Sequence, residues 1–196
     1  WDYSFKWKPP KYNTIDFLVK TKKTPTGSDL VTPIFQGGID ARHSDQLDEY
    51  KTLLLCVGFD EKKHGYLNPC QDVIDAKLPT FGRDLDDEDT YKPVQFYPTQ
   101  PSDVNAGITN ILLDNGVNGE KIMLTENKEV IEDNMIVEFS YDATKEEQWR
   151  WLPLKVRYDK TEEFRAGLPN FGNAYHVANS NWRTIHNPIT QEMITT

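Results

Sequence analysis

Read for the alternation of apolar and polar positions, the chain falls into short strands separated by long polar stretches. In residues 14–20 (TIDFLVK), Ile15, Phe17 and Val19 share one face while Asp16 and Lys20 share the other, the period of a half-buried strand. Residues 52–59 (TLLLCVGF) form an unbroken apolar run, short enough for a strand covered on both sides. KIMLT (121–125) and MIVEFSY (135–141) predict two more strands. WRWLPLKVRY (149–158) predicts the last, with Pro153 implying an edge position or a bulge, since proline donates nothing to a ladder. Such strands with little helix between them predict a small barrel or sandwich.

The connections carry strong breakers. TKKTPTGSD (21–29) and IFQGGID (34–40) are turn chemistry, and NGVNG (115–119) suits a hairpin. YPTQPSD (97–103), with spaced prolines, is expected to run extended over the surface. The acidic run DLDDED (84–89) and the carboxylates Glu126, Glu129, Glu132 and Asp133 read as solvated connections. From residue 170 the pattern changes. Ala174, Val177, Ala178, Asn181, Trp182 and Ile185 recur at helical spacing, and Pro188 suits the first turn of a second helix. This tail is expected to be a helical linker. A start on Trp1 rather than Met, and a pattern broken off at Thr196, lead us to expect a segment of a longer polypeptide.

Composition narrows the partners. The 196 residues carry a net charge of −9 and 37% hydrophobic residues, 12% of the chain being aromatic. An acidic surface disfavours non-specific binding to phosphate backbones, so any polyphosphate contact must come from a few local cations. Cys56 and Cys70 are too few for a disulfide framework and lack ligand spacing, as do His43, His64, His176 and His186. No metal site is expected. No apolar run approaches the roughly 18 to 20 residues that span a bilayer, and no membrane association is expected.

Two cationic segments stand out. In FKWKPP (5–10), an extended strand would project Lys6 and Lys8 together, roughly 7 Å apart, with Trp7 turned the other way. They could fork a phosphate oxyanion or simply flank a buried tryptophan in water. In WLPLKVRYDKT (151–161), a strand would put Lys155, Arg157 and Asp159 on one face and Val156 and Tyr158 on the other. Arg157 offers a planar fork of donors and Lys160 a mobile point charge, with Asp159 placed to hold either. The alternative is an edge strand kept soluble by its charges. Phe96 and Tyr97 could stack on bases, although packing in a core suits them better.

Both segments occur in one chain, in this order. FKWKPPKYNTIDF resembles motif V of the covalent nucleotidyltransferases, in the form found in mRNA guanylyltransferases of large DNA viruses. WLPLKVRYDKT resembles motif VI of that superfamily, and the tail VANSNWRTIHNPIT looks like the junction before a cap methyltransferase domain. The likeness is specific over roughly residues 1–20 and 135–196 and vague between them, apart from a Pro-containing stretch around 96–112.

The resemblance implies a mainly β fold, an OB-fold barrel with long insertions and a C-terminal helical linker. Residues 1–16 would complete a nucleotidyltransferase domain, 17–165 would form the barrel, and 166–196 would lead toward the methyltransferase. It further implies a lid that closes over GTP, with Lys6, Lys8 and Lys155 on its phosphates and Arg157, Asp159 and Lys160 in catalytic positions. Magnesium or manganese would arrive with GTP in the complete enzyme, and the RNA 5′ end would be the acceptor. The setting implied is a viral factory in the host cytoplasm, or the virion. Two departures matter. Lys155 stands where the motif has arginine, and no Lys-x-Asp-Gly occurs anywhere, so the chain alone has no nucleophile for a covalent lysyl–GMP. The competing readings are the OB domain of an ATP-dependent nucleic-acid ligase and a non-catalytic module for single-stranded nucleic acid.

Overall fold

The computed structural model describes residues 13–34, 48–60 and 91–188. Lys6, Lys8, Cys70, His43, His64, the acidic run 84–89 and the helix expected from Pro188 onward lie wholly or almost wholly outside the described residues.

Within them the chain is mainly β. The strands are β1 (Thr14–Thr21), β2 (Val31–Ile34), β3 (Asp48–Asp60), β4 (Tyr91–Gln95), β5 (Ile108–Asn115), β6 (Lys121–Leu124), β7 (Val130–Ile131), β8 (Met135–Tyr141) and β9 (Trp151–Val156). Two helices follow, α1 (Tyr158–Arg165) and α2 (Tyr175–His186). The strands form one antiparallel sheet in the order β7-β6-β5-β3-β1-β8-β9, with β2 and β4 pairing on the long β3. Its two ends approach each other. Between β6 and β7, the amides of Glu126 and Asn127 donate to the carbonyls of Pro153 and Leu154 in β9, at 2.9 and 3.2 Å. The Glu129 carboxylate accepts the Val156 amide at 2.7 Å. The result is a nearly closed barrel, as an OB-like fold requires.

All five expected strands are present. Pro153 sits opposite Phe139 at a register shift between Glu138 and Phe139, in the strand that ends the sheet order, so both the bulge and the edge position expected of it are found. The NGVNG hairpin joins β5 to β6, with the Gly116 amide donating to the Glu120 carbonyl at 2.7 Å. Three expectations need correction. The last strand stops at Val156, and Tyr158–Arg165 is helical, so Lys155, Arg157 and Asp159 do not share one strand face. The helix forms because Asp159 lies in its first turn and Arg165 in its last, both favourable to the helix dipole. Gly167, at φ +82°, then ends it in the left-handed conformation glycine tolerates. Second, segment 97–103 does not run straight. It turns back through a Thr99–Ser102 bridge, held by the Trp182 indole N–H donating to the Pro101 carbonyl at 2.8 Å. Third, Glu129 and Asp133 are not merely solvated. Glu129 helps close the barrel, and Asp133 accepts the Thr21 amide at 2.8 Å.

The core explains the high aromatic content. Phe17 of β1 packs against Phe96 at 5.4 Å, Trp151 at 5.0 Å and Phe139 at 5.9 Å between ring centres. Trp182 of α2, fully buried, packs on Phe96, Tyr141 and Trp151. The indole N–H of Trp151 is satisfied by the Ala106 carbonyl, as a buried tryptophan requires. On the other side of the sheet a smaller cluster joins Leu18, Cys56 and Ile136 to Phe164 and Phe171. β1 is therefore covered on both faces, and Asp16 with it.

Candidate functional site

The site is built at the junction of β1, β8, β9 and α1. Arg157 is the residue between strand and helix. Its amide donates to the Ile136 carbonyl at 2.8 Å, and its carbonyl accepts the Thr161 hydroxyl at 2.8 Å. Thr161 in turn accepts the Ile136 amide at 2.9 Å, so one buried hydroxyl ties α1 to β8. This bracket fixes where the Arg157 side chain leaves the backbone.

That side chain reaches Asp16. The Arg157 guanidinium donates to one Asp16 carboxylate oxygen at 2.7 Å, and the Lys160 ammonium donates to the same oxygen at 2.7 Å. The Asp16 side chain is 7% exposed, whereas Arg157 and Lys160 retain 29% and 23%. The acid thus lies at the bottom and the two cations above it, each still open to solvent. Asp159 approaches Arg157 more loosely, at 3.5 Å. The backbone N–H of Lys160 holds the Asp159 carboxyl below its usual pKa, with a smaller effect from Arg157.

The backbone around Asp16 is equally committed. Its amide donates to the Asn173 side chain at 2.8 Å, and its carbonyl accepts the Asn173 amide at 2.8 Å. Gly172 runs so close that a Cβ there would stand 2.4 Å from the Asp16 carbonyl oxygen, and its φ is +84°. Only glycine fits.

Beside this group lies a second acid. Glu138 of β8 is the cross-strand partner of Asp16 on β1 and of Lys155 on β9. It accepts the Thr14 hydroxyl at 2.7 Å and pairs with the Lys155 ammonium at 3.3 Å. Burial works to raise the Glu138 carboxyl, but Thr14 and Lys155 outweigh it and hold the group below its usual pKa, with Arg157 adding to the effect. Chemically the arrangement is a preorganised cation pair able to receive an oxyanion, with its charges oriented by buried carboxylates.

Of the expected site residues, the structure brings Arg157, Asp159 and Lys160 together, with Lys155 next to them on Glu138. Asp16, Glu138 and Thr14 were not singled out from the sequence as site residues. The available signal was one acid inside each of two apolar strands, TIDFLVK and MIVEFSY. Phe96 is fully buried and Tyr97 is 37% exposed. Among the described residues no group of three or more His, Cys, Asp or Glu side chains is placed to hold a metal ion. His186 donates through Nδ1 to the Trp182 carbonyl, and burial pushes the Cys56 thiol up. Among the described residues no helix is long and apolar enough to cross a membrane.

Comparison with known proteins adds one match. The chain is 30% identical over 193 residues to a probable mRNA-capping enzyme of Acanthamoeba polyphaga mimivirus. It resembles a stretch of a viral capping enzyme. The match covers 97% of this chain and 13% of that protein, so the likeness runs through the middle, where the motifs alone showed little. No family model matches the chain. No solved structure matches it either.

Proposed function

We propose that this chain is the OB-like lid module of an mRNA guanylyltransferase, closing over GTP and orienting its β and γ phosphates for transfer of GMP. The observation that carries the reading is the Arg157–Lys160 pair, preorganised on the Asp16 carboxylate within a chain similar to a capping enzyme. In this reading the open sides of the two cations take oxygens of the leaving pyrophosphate. Arg157 supplies a planar fork and Lys160 a point charge. Positioning and charge neutralisation are the main means by which proteins accelerate phosphoryl transfer. Asp16 keeps both cations aimed before the nucleotide arrives, which lowers the reorganisation needed on binding.

Lys6 and Lys8 would serve the α-phosphate from the neighbouring nucleotidyltransferase fold. The nucleophilic lysine would come from that domain, since no Lys-x-Asp-Gly occurs here. Asp16, Glu138 and Asp159 are engaged with cations, and among the described residues no group of three or more His, Cys, Asp or Glu side chains is placed to hold a metal ion. In this reading magnesium or manganese would come with the nucleotide, where it would supply charge neutralisation to the phosphates. The RNA 5′-diphosphate end would enter once the lid reopens, and a methyltransferase domain of the same polypeptide would act next.

The test is covalent enzyme–nucleotide formation by the longer parent polypeptide, from labelled GTP and separately from ATP. Wild type, Arg157→Ala and Lys160→Ala are compared, with this chain alone as a control. An adduct with GTP only, lost in both variants and absent from the short chain, is expected. An ATP adduct would move the protein to the ligases. A GTP adduct indifferent to both substitutions would remove Arg157 and Lys160 from the phosphate site.

A further inference from the structure

Lys155 occupies the position where the resembled motif has arginine, and the structure gives it a partner of its own. Three residues stand in register across three adjacent strands: Asp16 on β1, Glu138 on β8 and Lys155 on β9. Like charges directly opposite each other in an antiparallel pair destabilise it. Asp16 and Glu138 are such a pair, and both side chains are largely covered, at 7% and 17% exposure.

The groups around these acids divide between them. Asp16 is answered by Arg157 and Lys160. Glu138 is answered by the Thr14 hydroxyl and the Lys155 ammonium, while Asp159 approaches the other terminal nitrogen of Arg157 at 3.5 Å. Arg157 also acts on Glu138 by its charge alone, without a direct bond to it among the contacts described. Asp16 holds the guanidinium directly, and Glu138, its cross-strand neighbour, lies close enough to feel the same charge. Lys155 pairs with Glu138 at 3.3 Å, and a carboxylate with a cation of its own pulls less on a neighbouring guanidinium than an unpaired one.

We propose that Lys155 is a positioning residue that acts through Glu138, keeping this carboxylate from drawing Arg157 away from Asp16 and from the phosphates. The inference deepens the phosphate-clamp reading and rests on it for the identity of the ligand. Lys155 is thereby given work that needs its charge, not a bidentate fork, which is why lysine can stand there.

The test is a double-mutant cycle on the full 196-residue chain, with inorganic tripolyphosphate as the probe. Lys155→Ala is made in the wild-type and in the Glu138→Gln background, with Lys155→Arg as the conservative control. The readouts are tripolyphosphate affinity across pH and the Arg157 Nε–H signal by NMR, in the free chain and on titration. In the wild-type background Lys155→Ala is expected to weaken binding about tenfold, a coupling ordinary for charged neighbours. It is also expected to displace the Arg157 signal in the free chain. Both defects should fade as pH falls and Glu138 takes a proton, be absent in the Glu138→Gln background, and be relieved by Lys155→Arg.

Equal weakening in both backgrounds and at every pH would make Lys155 a direct phosphate ligand and overturn the proposal. An Arg157 signal indifferent to Lys155→Ala would overturn it too. Failure of the wild-type chain to bind tripolyphosphate would count against the phosphate-clamp reading, while the signal of the free chain would still decide the role of Lys155.

Discussion

Asp16 carries two charge-assisted hydrogen bonds on one oxygen while almost fully covered. A carboxylate so placed is stable only while its cations stay, and its charge in turn aims the cations. Asp16→Asn keeps the shape but not the charge, and should cost about 1.5–3 kcal/mol of stability, the range for hydrogen bonds to charged groups. Chemical denaturation measures the loss, and NMR should show the Arg157 side chain becoming mobile. An Arg157 signal unchanged in the variant would mean that Asp16 does not position it. Glu138 makes a pH-dependent contribution of known sign. Its carboxyl is held below the usual value, so it stabilises the fold above the ordinary glutamate range and loses that effect as pH falls through its folded-state value. Thr14→Val removes one donor and leaves burial less opposed, so the folded pKa should rise and acid unfolding should begin at higher pH. Carboxyl NMR titration with an acid-unfolding curve checks this, and an unmoved Glu138 would contradict it.

At the scale of the element, β9 and α1 form one device. The strand ends beside the site, Arg157 makes the corner, and Thr161 locks the helix to Ile136 of β8. Thr161→Val preserves the volume but leaves the Ile136 amide without its partner. The cost should be about 1–3 kcal/mol, the penalty for an unsatisfied buried polar group. Hydrogen exchange at Ile136 should accelerate, and unchanged protection there would show that the corner is held by something else. The flanking strands are handled differently. β2 and β4 each pair with β3, and each contains a proline, Pro33 and Pro93, which withholds a donor from any strand that might add to the sheet.

At the scale of the molecule, α2 is part of the barrel's packing. Trp182 is fully covered by aromatic rings of β8, β9 and the segment after β4, and it donates to Pro101. Trp182→Ala should lower stability by about 3–5 kcal/mol, the usual cost of removing a buried aromatic ring. A thermal or urea melt reads this directly. A change below ~1 kcal/mol would mean that α2 behaves as a separable extension.

Much of the outline was legible because it is local. Alternation gave the strand at 14–20, short apolar-rich runs gave those at 121–125 and 135–141, proline chemistry gave an edge or a bulge at Pro153, and helical spacing gave α2. β2, β4, β5 and β7 were not read, being short, proline-bearing or, as in ITNILLDN, mixed in pattern. The start of α1, Tyr158 and Asp159, was taken for strand because the charges at 155, 157 and 159 alternate. The cations at 157 and 160 could also be read from sequence, since a resembled motif is a string of neighbours. Their orientation could not. Asp16 lies 141 residues before Arg157 in the chain, and Glu138 faces Asp16 only because β8 pairs with β1 in one register. The sequence alone determined which residue types are available and which segments would be strands. The tertiary structure decided which acid faces which base, because burial and cross-strand register depend on contacts that no local pattern encodes.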